Sequence, residues 1–224
     1  HRWLRALLPA SCWSSSRSLD GSVPGSFAWT RRDSRQAVTA PEGLSFGNAE
    51  GRASMSVRVG VLGATGAVGQ RLIQLLDPHP DFEIAALTAS DESAGHDYRE
   101  VAKWRVDAPI PEAVAATTVT ETDPSAVPDD VDLIFSSLPS SVGEAVEPAF
   151  AEAGYVVSSN SSNARMDDDV PLVIPEVNAE HMQLIEVQRD ERGWDGALVK
   201  NPNCSTITMV PTLAALDSFG LERV

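Results

Sequence analysis

The stretch VRVGVLGATGAVGQRLIQLL, residues 57–76, decides the fold of this chain. Its first six residues are apolar enough for a buried strand, and apolar residues from Val68 to Leu76 recur at helical spacing. Between them, Gly63 permits a tight bend, Gly66 lets the backbone approach a pyrophosphate, and Gly69 lets the helix pack closely on the sheet. The phosphates then meet the positive end of the helix. We therefore predict a dinucleotide-binding turn; the alternative, in which the glycines serve packing alone, stays open.

The rest of the chain alternates between short apolar runs and helical patterns. Further strands are predicted at Phe82–Leu87, Val131–Leu138, Tyr155–Ser159, Pro171–Pro175 and Ala197–Lys200. Helices are predicted over about Ser141–Ala153, from Asn178 with its side chain capping the amides ahead of it, and along residues 205–219, where Pro211 would kink the helix. Strands that are apolar on both faces and separated by helices indicate a covered parallel sheet. The predicted fold class is α/β, a Rossmann-like doubly wound parallel sheet.

The segment NPNCSTI, residues 201–207, carries the candidate nucleophile. Cys204 is predicted where a strand gives way to a helix, so its sulfur would lie near unpaired backbone amides that favour the thiolate. The flanking asparagines and hydroxyl side chains suit an oxyanion better than an apolar core, although a lone cysteine is more often a small buried apolar residue. A thiol together with a dinucleotide turn indicates redox chemistry on an aldehyde or an activated acyl group.

The end of the second predicted strand, LTASDESAG at residues 87–95, bears on the choice between NAD and NADP. An acidic residue there bonds the ribose 2′-hydroxyl of NAD, whereas hydroxyl or basic groups receive the 2′-phosphate of NADP. Ser90 and Ser93 suit a phosphate, while Asp91 and Glu92 oppose it unless they point outward into solvent. The residues alone leave both cofactors open.

Composition argues against several classes of function. Of the chain's 17 basic and 32 acidic residues, seven and four fall in residues 1–55, which leaves residues 56–224 with a net charge of −18. A surface of that sign repels nucleic acid and anionic membranes, and no apolar run reaches the roughly 20 residues of a membrane helix. Histidines and cysteines lack metal-ligand spacing, so we predict no metal. Two isolated cysteines indicate a reducing, cytoplasmic location, and the scarcity of lysine indicates a salt-adapted source.

Residues 1–55 differ from everything after them. They contain three of the five tryptophans and ten serines, without a sustained helical or strand period. We expect disorder here. The Arg-rich, Ser-rich and acid-poor composition fits an organelle transit peptide, but Met55 directly before the first strand favours an extension that is not part of the native protein.

Three further polar features receive an interpretation. The run SSNSSNARM, residues 158–166, follows a predicted strand and would line the same cleft from the cofactor side, unless it is a simple Ser/Asn turn. We assign structural roles to Glu176, as a helix cap or buried bond, and to His181, on a solvated helix face.

Several long segments resemble one family in the same order along the chain. They are GATGAVGQRL (63–72), the TASxxSAGxxY stretch ending at Tyr98, FSSLPS (135–140), SNSSNARMDDDVPLVIPEVN (159–178) and IEVQRDERGWDGALVKNPNCSTI (185–207). From about Val57 to Val224, the chain resembles aspartate-semialdehyde dehydrogenase of the archaeal type. Residues 1–55 have no counterpart in that family.

The resemblance implies NADP-dependent, reversible conversion of 4-aspartyl phosphate to aspartate 4-semialdehyde, on the route to lysine, methionine and threonine. Cys204 would be the catalytic nucleophile that carries a thioester, and Asn203 would orient the substrate beside the sulfur. The implied cofactor-binding residues are Gly63, Thr65, Gly66, Ala67, Val68 and Gly69 around the pyrophosphate, Ser90 and Ser93 at the adenosine 2′-phosphate, and Ser137, Leu138 and Pro139 at the nicotinamide half.

The resemblance also implies a division into domains. Residues 56–200 would form the NADP-binding domain, and residues 201–224 would begin a catalytic and dimerisation domain. Its acid/base histidine, substrate-binding arginines and dimer surface would lie beyond Val224, so we expect a homo-oligomer for the full-length protein and weak cofactor binding with little catalysis from this chain. Glu92 stands where relatives often carry a basic residue. Two alternatives stay open, a reductase for another acyl phosphate or acyl-CoA such as malonyl-CoA, and a non-catalytic NADP-binding sensor.

Overall fold

Six parallel strands form one sheet in the computed structural model, which describes residues 56–217, 219 and 220. The strands are β1 (Val57–Leu62), β2 (Phe82–Ala89), β3 (Thr120–Glu121), β4 (Leu133–Ser136), β5 (Val156–Ser159) and β6 (Ala197–Lys200). They lie in the order β3-β2-β1-β4-β5-β6, and each neighbouring pair is parallel. The chain builds outward from β1 in one direction and then in the other, which confirms the predicted doubly wound α/β fold.

Helices connect the strands and cover the sheet. They are α1 (Ala67–Leu76), α2 (Tyr98–Val101), α3 (Glu112–Ala115), α4 (Ser140–Glu152), α5 (Pro175–Asn178), α6 (Leu184–Arg192) and α7 (Cys204–Asp217). Short 3₁₀ turns occupy Pro124–Ala126 and Ala179–Gln183. Within the described residues, none of the helices is long and apolar enough to cross a bilayer.

Alternate strand residues enter two separate apolar clusters, one on each face of the sheet. On β1, Val59 and Val61 share a cluster with Ile73 of α1, whereas Leu62 shares one with Phe150 of α4. All five side chains are buried. Because successive side chains on a strand point to opposite faces, this division means that the sheet is covered on both sides.

The strand predicted at Pro171–Pro175 is wrong. This segment makes a single parallel bridge, in which the amide of Lys200 donates to Pro171 and the carbonyl of Lys200 accepts from Val173. A proline at each end removes backbone donors, so the pairing does not extend into a ladder.

The sequence predicts a helix that starts at Asn178; a 3₁₀ turn does follow this residue, at Ala179–Gln183, but Asn178 is also the last residue of α5, which begins at Pro175. Proline is favoured at the first helical position because its ring presets φ and the position needs no amide donor. The Asn178 side chain reaches backward, where it accepts from the amide of Ile174 at 2.7 Å and donates to the carbonyl of Leu172 at 2.8 Å. Asn178 therefore fastens the loop before the helix, and the predicted cap ahead of it is absent at that residue.

The apolar face predicted for α1 is narrower than its sequence indicates. Ile73 and Leu76 are buried and Leu72 is half-buried, but Val68 and Leu75 are 50% and 54% exposed. Only one stripe of the helix meets the sheet. The disorder predicted for residues 1–55 lies outside the described residues, and so does the structure of residues 221–224.

Candidate active site

The carboxyl ends of five strands meet at one edge of the sheet, and each is followed at once by a residue of the predicted site region. Gly63 follows β1, Ser90 follows β2, Ser137 follows β4, Asn160 follows β5 and Asn201 follows β6. In an open parallel sheet the ligand crevice lies outside this edge, where the strand order reverses. Here the reversal falls between β1 and β4.

The glycine turn between β1 and α1 has the backbone geometry that a phosphate site requires. Gly63 lies in the left-handed region at φ 72°, which favours glycine. A Cβ on Gly69 would lie 2.3 Å from the carbonyl oxygen of Gly63, so a larger residue there would push the helix away from the turn. Gly66 is the N-cap residue of α1, but it has no side chain to bond the first amides, and no acidic residue lies in the first turn of the helix. The first amides of the helix therefore remain open to an anion.

Among the remaining turn residues, Ala67 and Val68 are exposed and Thr65 is half-buried. Thr65 directly precedes the N-cap residue Gly66, and Ala67 and Val68 are the first two residues of α1. These positions fit a pyrophosphate bound by the backbone amides at the start of α1.

Ser137, Leu138 and Pro139 close the β4 side of the glycine turn. The Ser137 hydroxyl donates to the carbonyls of Leu62 at 2.8 Å and Gly63 at 3.2 Å. A Cβ on Gly63 would meet the Leu138 side chain at 3.4 Å. Ser137 thus fastens β4 to the turn, while Pro139 is exposed at the start of α4.

Ser90 and Ser93 lie on a tight turn after β2. The amide of Ser93 donates to the carbonyl of Ser90 at 2.7 Å, and Ser90 is exposed while Ser93 is half-buried. Asp91 and Glu92 are both exposed. Both acids therefore have the solvent access that the prediction of a phosphate site at the two serines requires.

A pocket of about 240 Å³ adjoins the glycine turn, and we call it the basic pocket. It is lined by Thr65, Gly66, Ala67, Val101, Lys103 and Arg105. The buried side chain of Gln70 fixes its far wall, because Gln70 donates to the carbonyls of Thr65 at 2.8 Å and Lys103 at 3.1 Å and accepts from the amide of Arg105 at 2.7 Å. One amide side chain thereby holds the segment carrying both cations against the turn.

Tyr98 fastens the same region from below. Its hydroxyl donates to the carbonyl of Ala64 at 2.8 Å, and the ring is fully buried. Burial raises the pKa of Tyr98 above its ordinary value, so the group remains a neutral donor at physiological pH.

A second set of fixed polar groups lies under the ends of β4, β5 and β6, and we call it the buried polar cluster. Its members are Ser136, Glu147, Ser159, Ser161 and Lys200, each of them buried. The Lys200 ammonium donates to Glu147, to Ser161 at 2.8 Å and to Ser159 at 3.1 Å. Glu147 also accepts from Ser136 at 2.7 Å and from Ser159 at 2.6 Å.

The buried polar cluster holds an ion pair away from water. Burial alone would raise the pKa of Glu147, but hydrogen bonds from Lys200, Ser159 and Ser136 outweigh it and hold that pKa below its ordinary value. Glu147 is therefore a carboxylate at neutral pH. A buried charge of this kind persists only with a full set of partners.

The polar run at residues 158–166 divides between the cluster and the crevice. Ser159 and Ser161 belong to the buried polar cluster, whereas Asn160 is exposed and accepts from the Asn201 side chain at 2.8 Å. The amide of Asn201 also donates to the carbonyl of Ser159 at 2.8 Å. The run thus anchors the start of the NPNC segment.

Cys204 is the first residue of α7, and its side chain is exposed. Asn203 caps this helix, since its Oδ1 accepts from the amide of Ser205 at 2.9 Å. The same oxygen lies 3.9 Å from the Cys204 sulfur. The thiol therefore stands at the positive end of a helix with solvent access, a setting that suits a nucleophile.

The glycine turn and the thiol lie at the same edge of the sheet, three strands apart. Leu62 pairs with Ser136, Ser136 with Ser159, and Ser159 with Lys200, in one row across β1, β4, β5 and β6. At about 4.8 Å per strand, this row spans about 14 Å. A dinucleotide that extends from the turn toward β6 would approach the thiol from this side.

Glu176 and His181 lie outside this arrangement. Glu176 is exposed in the first turn of α5, so the buried bond suggested for it is absent from its surroundings. His181 is exposed, as expected, and its ring nitrogen Nδ1 lies 3.1 Å from the side-chain nitrogen Nδ2 of Asn178. Within the described residues, no group of three or more His, Cys, Asp or Glu side chains is placed to hold a metal ion.

Sequence reasoning missed Gln70, Lys103, Arg105, Glu147 and Lys200. One signal was available, because the chain contains only two lysines and both lie at this edge of the sheet. Lysine is scarce in this acidic chain, so the position of each lysine is itself a signal of a functional or buried charge.

Comparisons with known proteins agree with this geometry. A family described as "Semialdehyde dehydrogenase, NAD binding domain" matches residues 58–185. Aspartate-semialdehyde dehydrogenase of Methanothermobacter thermautotrophicus is 59% identical over 75% of this chain and 48% of its own length. The enzyme of that name from Archaeoglobus fulgidus is 51% identical over 76% of this chain and 49% of its own. Malonyl CoA reductase (NADP) of Metallosphaera sedula is 41% identical over 75% and 47%.

Solved structures show the same likeness. The crystal structure of aspartate semialdehyde dehydrogenase with NADP from Candida albicans matches with a TM-score of 0.68 and 41% identity, over 74% of this chain and 48% of that one. Aspartate semialdehyde dehydrogenase II from Vibrio cholerae, complexed with ASA, matches with a TM-score of 0.55 and 30% identity, over 74% and 44%. The chain spans about half the length of the curated relatives it matches.

Proposed function

Because this chain belongs to the semialdehyde dehydrogenase family, we propose that it carries the cofactor site and the nucleophile of an aspartate-semialdehyde dehydrogenase. The reaction is the reversible, NADP-dependent conversion of 4-aspartyl phosphate to aspartate 4-semialdehyde and inorganic phosphate. The observation that carries the proposal is the position of Cys204, an exposed thiol at the start of α7 on the sheet edge that also holds the glycine turn.

The crevice offers distinct groups to the two halves of NADP. The amides at the start of α1, from Gly66 to Val68, bind the pyrophosphate, and Gly63 and Gly69 keep the turn tight enough for that approach. Ser90 and Ser93 lie on the adenosine side, and Ser137, Leu138 and Pro139 border the nicotinamide half. When bound, the cofactor supplies or receives the hydride.

Cys204 forms and releases the covalent bond to the substrate. Its thiolate attacks the carbonyl carbon of the acyl phosphate, and the carbon–oxygen bond to phosphate breaks. Inorganic phosphate leaves, and the acyl group remains on the sulfur as a thioester. The start of α7 stabilises the thiolate through its open amides. Asn203 orients the substrate beside the sulfur while its Oδ1 caps the helix.

Trapping of the acyl group on Cys204 tests this chemistry without the cofactor. Wild-type chain exposed to freshly generated 4-aspartyl phosphate should gain the mass of one aspartyl group, located at Cys204 by peptide mass spectrometry. Cys204→Ser is the matched variant, because it replaces the thiol with a hydroxyl of similar size and should gain no thioester. An unmodified wild-type chain would contradict the nucleophile assignment.

The likeness to a malonyl-CoA reductase supports a second candidate, reduction of an acyl-CoA through the same thiol. Exposure to malonyl-CoA in a parallel experiment separates the two. A malonyl adduct on Cys204 without an aspartyl adduct would favour the CoA substrate. NADP binding with neither adduct, and with ordinary thiol-labelling kinetics, would favour a non-catalytic sensor.

The physiological setting is also proposed. The activity belongs to the route toward lysine, methionine and threonine, in the cytoplasm, and the full-length protein is a homo-oligomer whose mass light scattering would determine. The net charge of −18 over residues 56–224 fits a salt-rich interior, because molar salt screens self-repulsion among carboxylates. The melting temperature should therefore rise with potassium chloride, and an indifferent melting temperature would count against this source.

A further inference from the structure

Within the part of the chain that the structure describes, no carboxylate pairs with Lys103 or Arg105 of the basic pocket. Both side chains are exposed, and neither forms an ion pair with another residue that the structure describes. The chain as a whole carries a net charge of −15, so acidic partners are abundant elsewhere on its surface. Two unpaired cations that share a pocket with the glycine turn point to an anion from outside the protein.

The backbone of this pair is fixed before any ligand arrives. Gln70 is only 1% exposed, and its three hydrogen bonds join the carbonyl of Thr65, the carbonyl of Lys103 and the amide of Arg105. Since the backbone of this segment is already ordered, the conformational entropy lost on binding comes only from the two side chains. The arrangement favours tight binding of a compact anion.

The pocket lies on the adenosine side of the crevice. The amide of Ala64 donates to the carbonyl of Thr88 of β2 at 2.9 Å, and Tyr98 donates to the carbonyl of Ala64, so the segment that starts at Tyr98 packs toward β2. The opposite side of the turn is closed by Ser137. In this fold the adenosine ribose lies at the end of β2, where a nearby basic residue accommodates a 2′-phosphate.

The pocket is too small for a whole dinucleotide and suits one of its parts. Its volume of about 240 Å³ is below the ~300–1,000 Å³ typical of sites that enclose a drug-sized ligand. On the basis of the proposed function, on which this inference rests, we propose that Lys103 and Arg105 bind the adenosine 2′-phosphate and set a preference for NADP over NAD. At the 2′-phosphate, the two cations would offset the charge of Asp91 and Glu92, which are exposed on the loop after β2.

Calorimetric titration of four ligands tests this assignment on the chain itself. NADP⁺ and adenosine 2′,5′-bisphosphate carry the 2′-phosphate, whereas NAD⁺ and ADP lack it. In the double variant Lys103→Ala/Arg105→Ala, the affinity for NADP⁺ and for adenosine 2′,5′-bisphosphate should fall by about 10- to 100-fold, the range expected for lost hydrogen bonds to a charged group. The affinity for NAD⁺ and for ADP should not change. Arg71→Ala is the matched control, because Arg71 is an exposed cation of α1 that does not line the pocket.

Each outcome separates this assignment from the proposed function. An equal loss of affinity for NADP⁺ and NAD⁺ in the double variant would mean that the cations bind the pyrophosphate, and it would overturn the assignment. An unchanged affinity for NADP⁺ would also overturn it. Failure of the unsubstituted chain to bind either dinucleotide would overturn the proposed function itself. Thermal melts of the variants check their folding, which should persist because both side chains are exposed.

Discussion

Lys200 and Cys204 are four positions apart in sequence, yet the structure treats them in opposite ways. Lys200 ends β6 inside the buried polar cluster, where its ammonium has three hydrogen-bonding partners and no exposure. Cys204 begins α7 in solvent, and the contact of its sulfur is the Asn203 oxygen at 3.9 Å. Within one short segment, the chain therefore carries a buried ammonium group with three hydrogen-bonding partners and an exposed thiol with one long contact.

The contrast between Lys200 and Cys204 shows how accessibility and rigidity are supplied by different residues. A nucleophile must remain accessible to its substrate, so few contacts can hold it in place. The buried polar cluster supplies the missing rigidity from below, because it joins β4, β5, β6 and α4 immediately before the NPNC segment. We therefore expect substitutions in the cluster to change stability strongly, and substitutions at the thiol to change chemistry with little effect on stability.

Lys200→Met should give the largest effect. Removal of Lys200 leaves the Glu147 charge buried without an opposite charge, which costs about 3–5 kcal/mol of unfolding free energy. Urea denaturation followed by circular dichroism measures the loss. Lys103→Met is the matched control, since the chain's other lysine is exposed and should change stability by less than about 0.5 kcal/mol.

Removing both charges should restore much of that loss. In Lys200→Met/Glu147→Leu no ion remains buried, so the double variant should be more stable than Lys200→Met alone. Equal stability of the single and double variants would mean that Glu147 is not charged in the folded protein.

Acidification should weaken the buried polar cluster. The folded pKa of Glu147 is depressed, so its contribution to stability is present above the unfolded value of about 4.3 and is lost as the pH falls through the folded pKa. Asp169, whose pKa is lowered by its hydrogen bonds from Arg192, adds to the same acid loss. Urea midpoints measured from pH 7 to pH 3 should fall less steeply in Lys200→Met/Glu147→Leu than in the wild type.

Asn203→Ala should have an intermediate effect, because it removes the cap of α7. Loss of an N-cap costs about 1 kcal/mol. Asn203→Asp keeps a capping oxygen but places a negative charge beside the sulfur, so it should retain stability and slow the reaction of Cys204 with a disulfide reagent. Asn203→Ser is the neutral capping control, and a rate for Asn203→Asp equal to that of Asn203→Ser would show that the sulfur does not sense this position.

Cys204→Ser should give the smallest change in stability, below about 0.5 kcal/mol, because the side chain is exposed. The same variant should lose all acyl transfer to residue 204. A strongly destabilised Cys204→Ser protein would contradict the contrast between the cluster and the thiol.

Local patterns were sufficient for the strands that matter most to the site. β1 and β6 occupy the predicted residues, and β2 extends two residues beyond its predicted end. Short apolar runs between turn-forming residues are typical of buried strands, so these strands could be predicted locally. Pro171–Pro175 shows the limit of that rule, since an apolar run flanked by prolines lacks the donors of a strand. The two-residue strand β3 and the short helices α2 and α3 are set by pairing with distant segments, and no local periodicity reveals them.

The candidate site divides in the same manner. The glycine turn and the NPNC thiol are visible in sequence because each depends on residues within seven positions of one another. The Gln70 contacts reach 33 and 35 positions along the chain, and Lys200 meets Glu147 across 53. Contacts of that separation leave no spacing rule in a single sequence.

The sequence by itself determined the alternation of strands and helices, the glycine turn and the placement of a thiol at a helix start, because backbone sterics and side-chain periodicity act over a few residues. Tertiary structure alone decided that Lys200 is buried with Glu147 while Lys103 is left facing a pocket. The physical reason is that the environment of a charge depends on which distant groups surround it, and identical side chains acquire opposite roles when folding gives one of them partners and the other an open crevice.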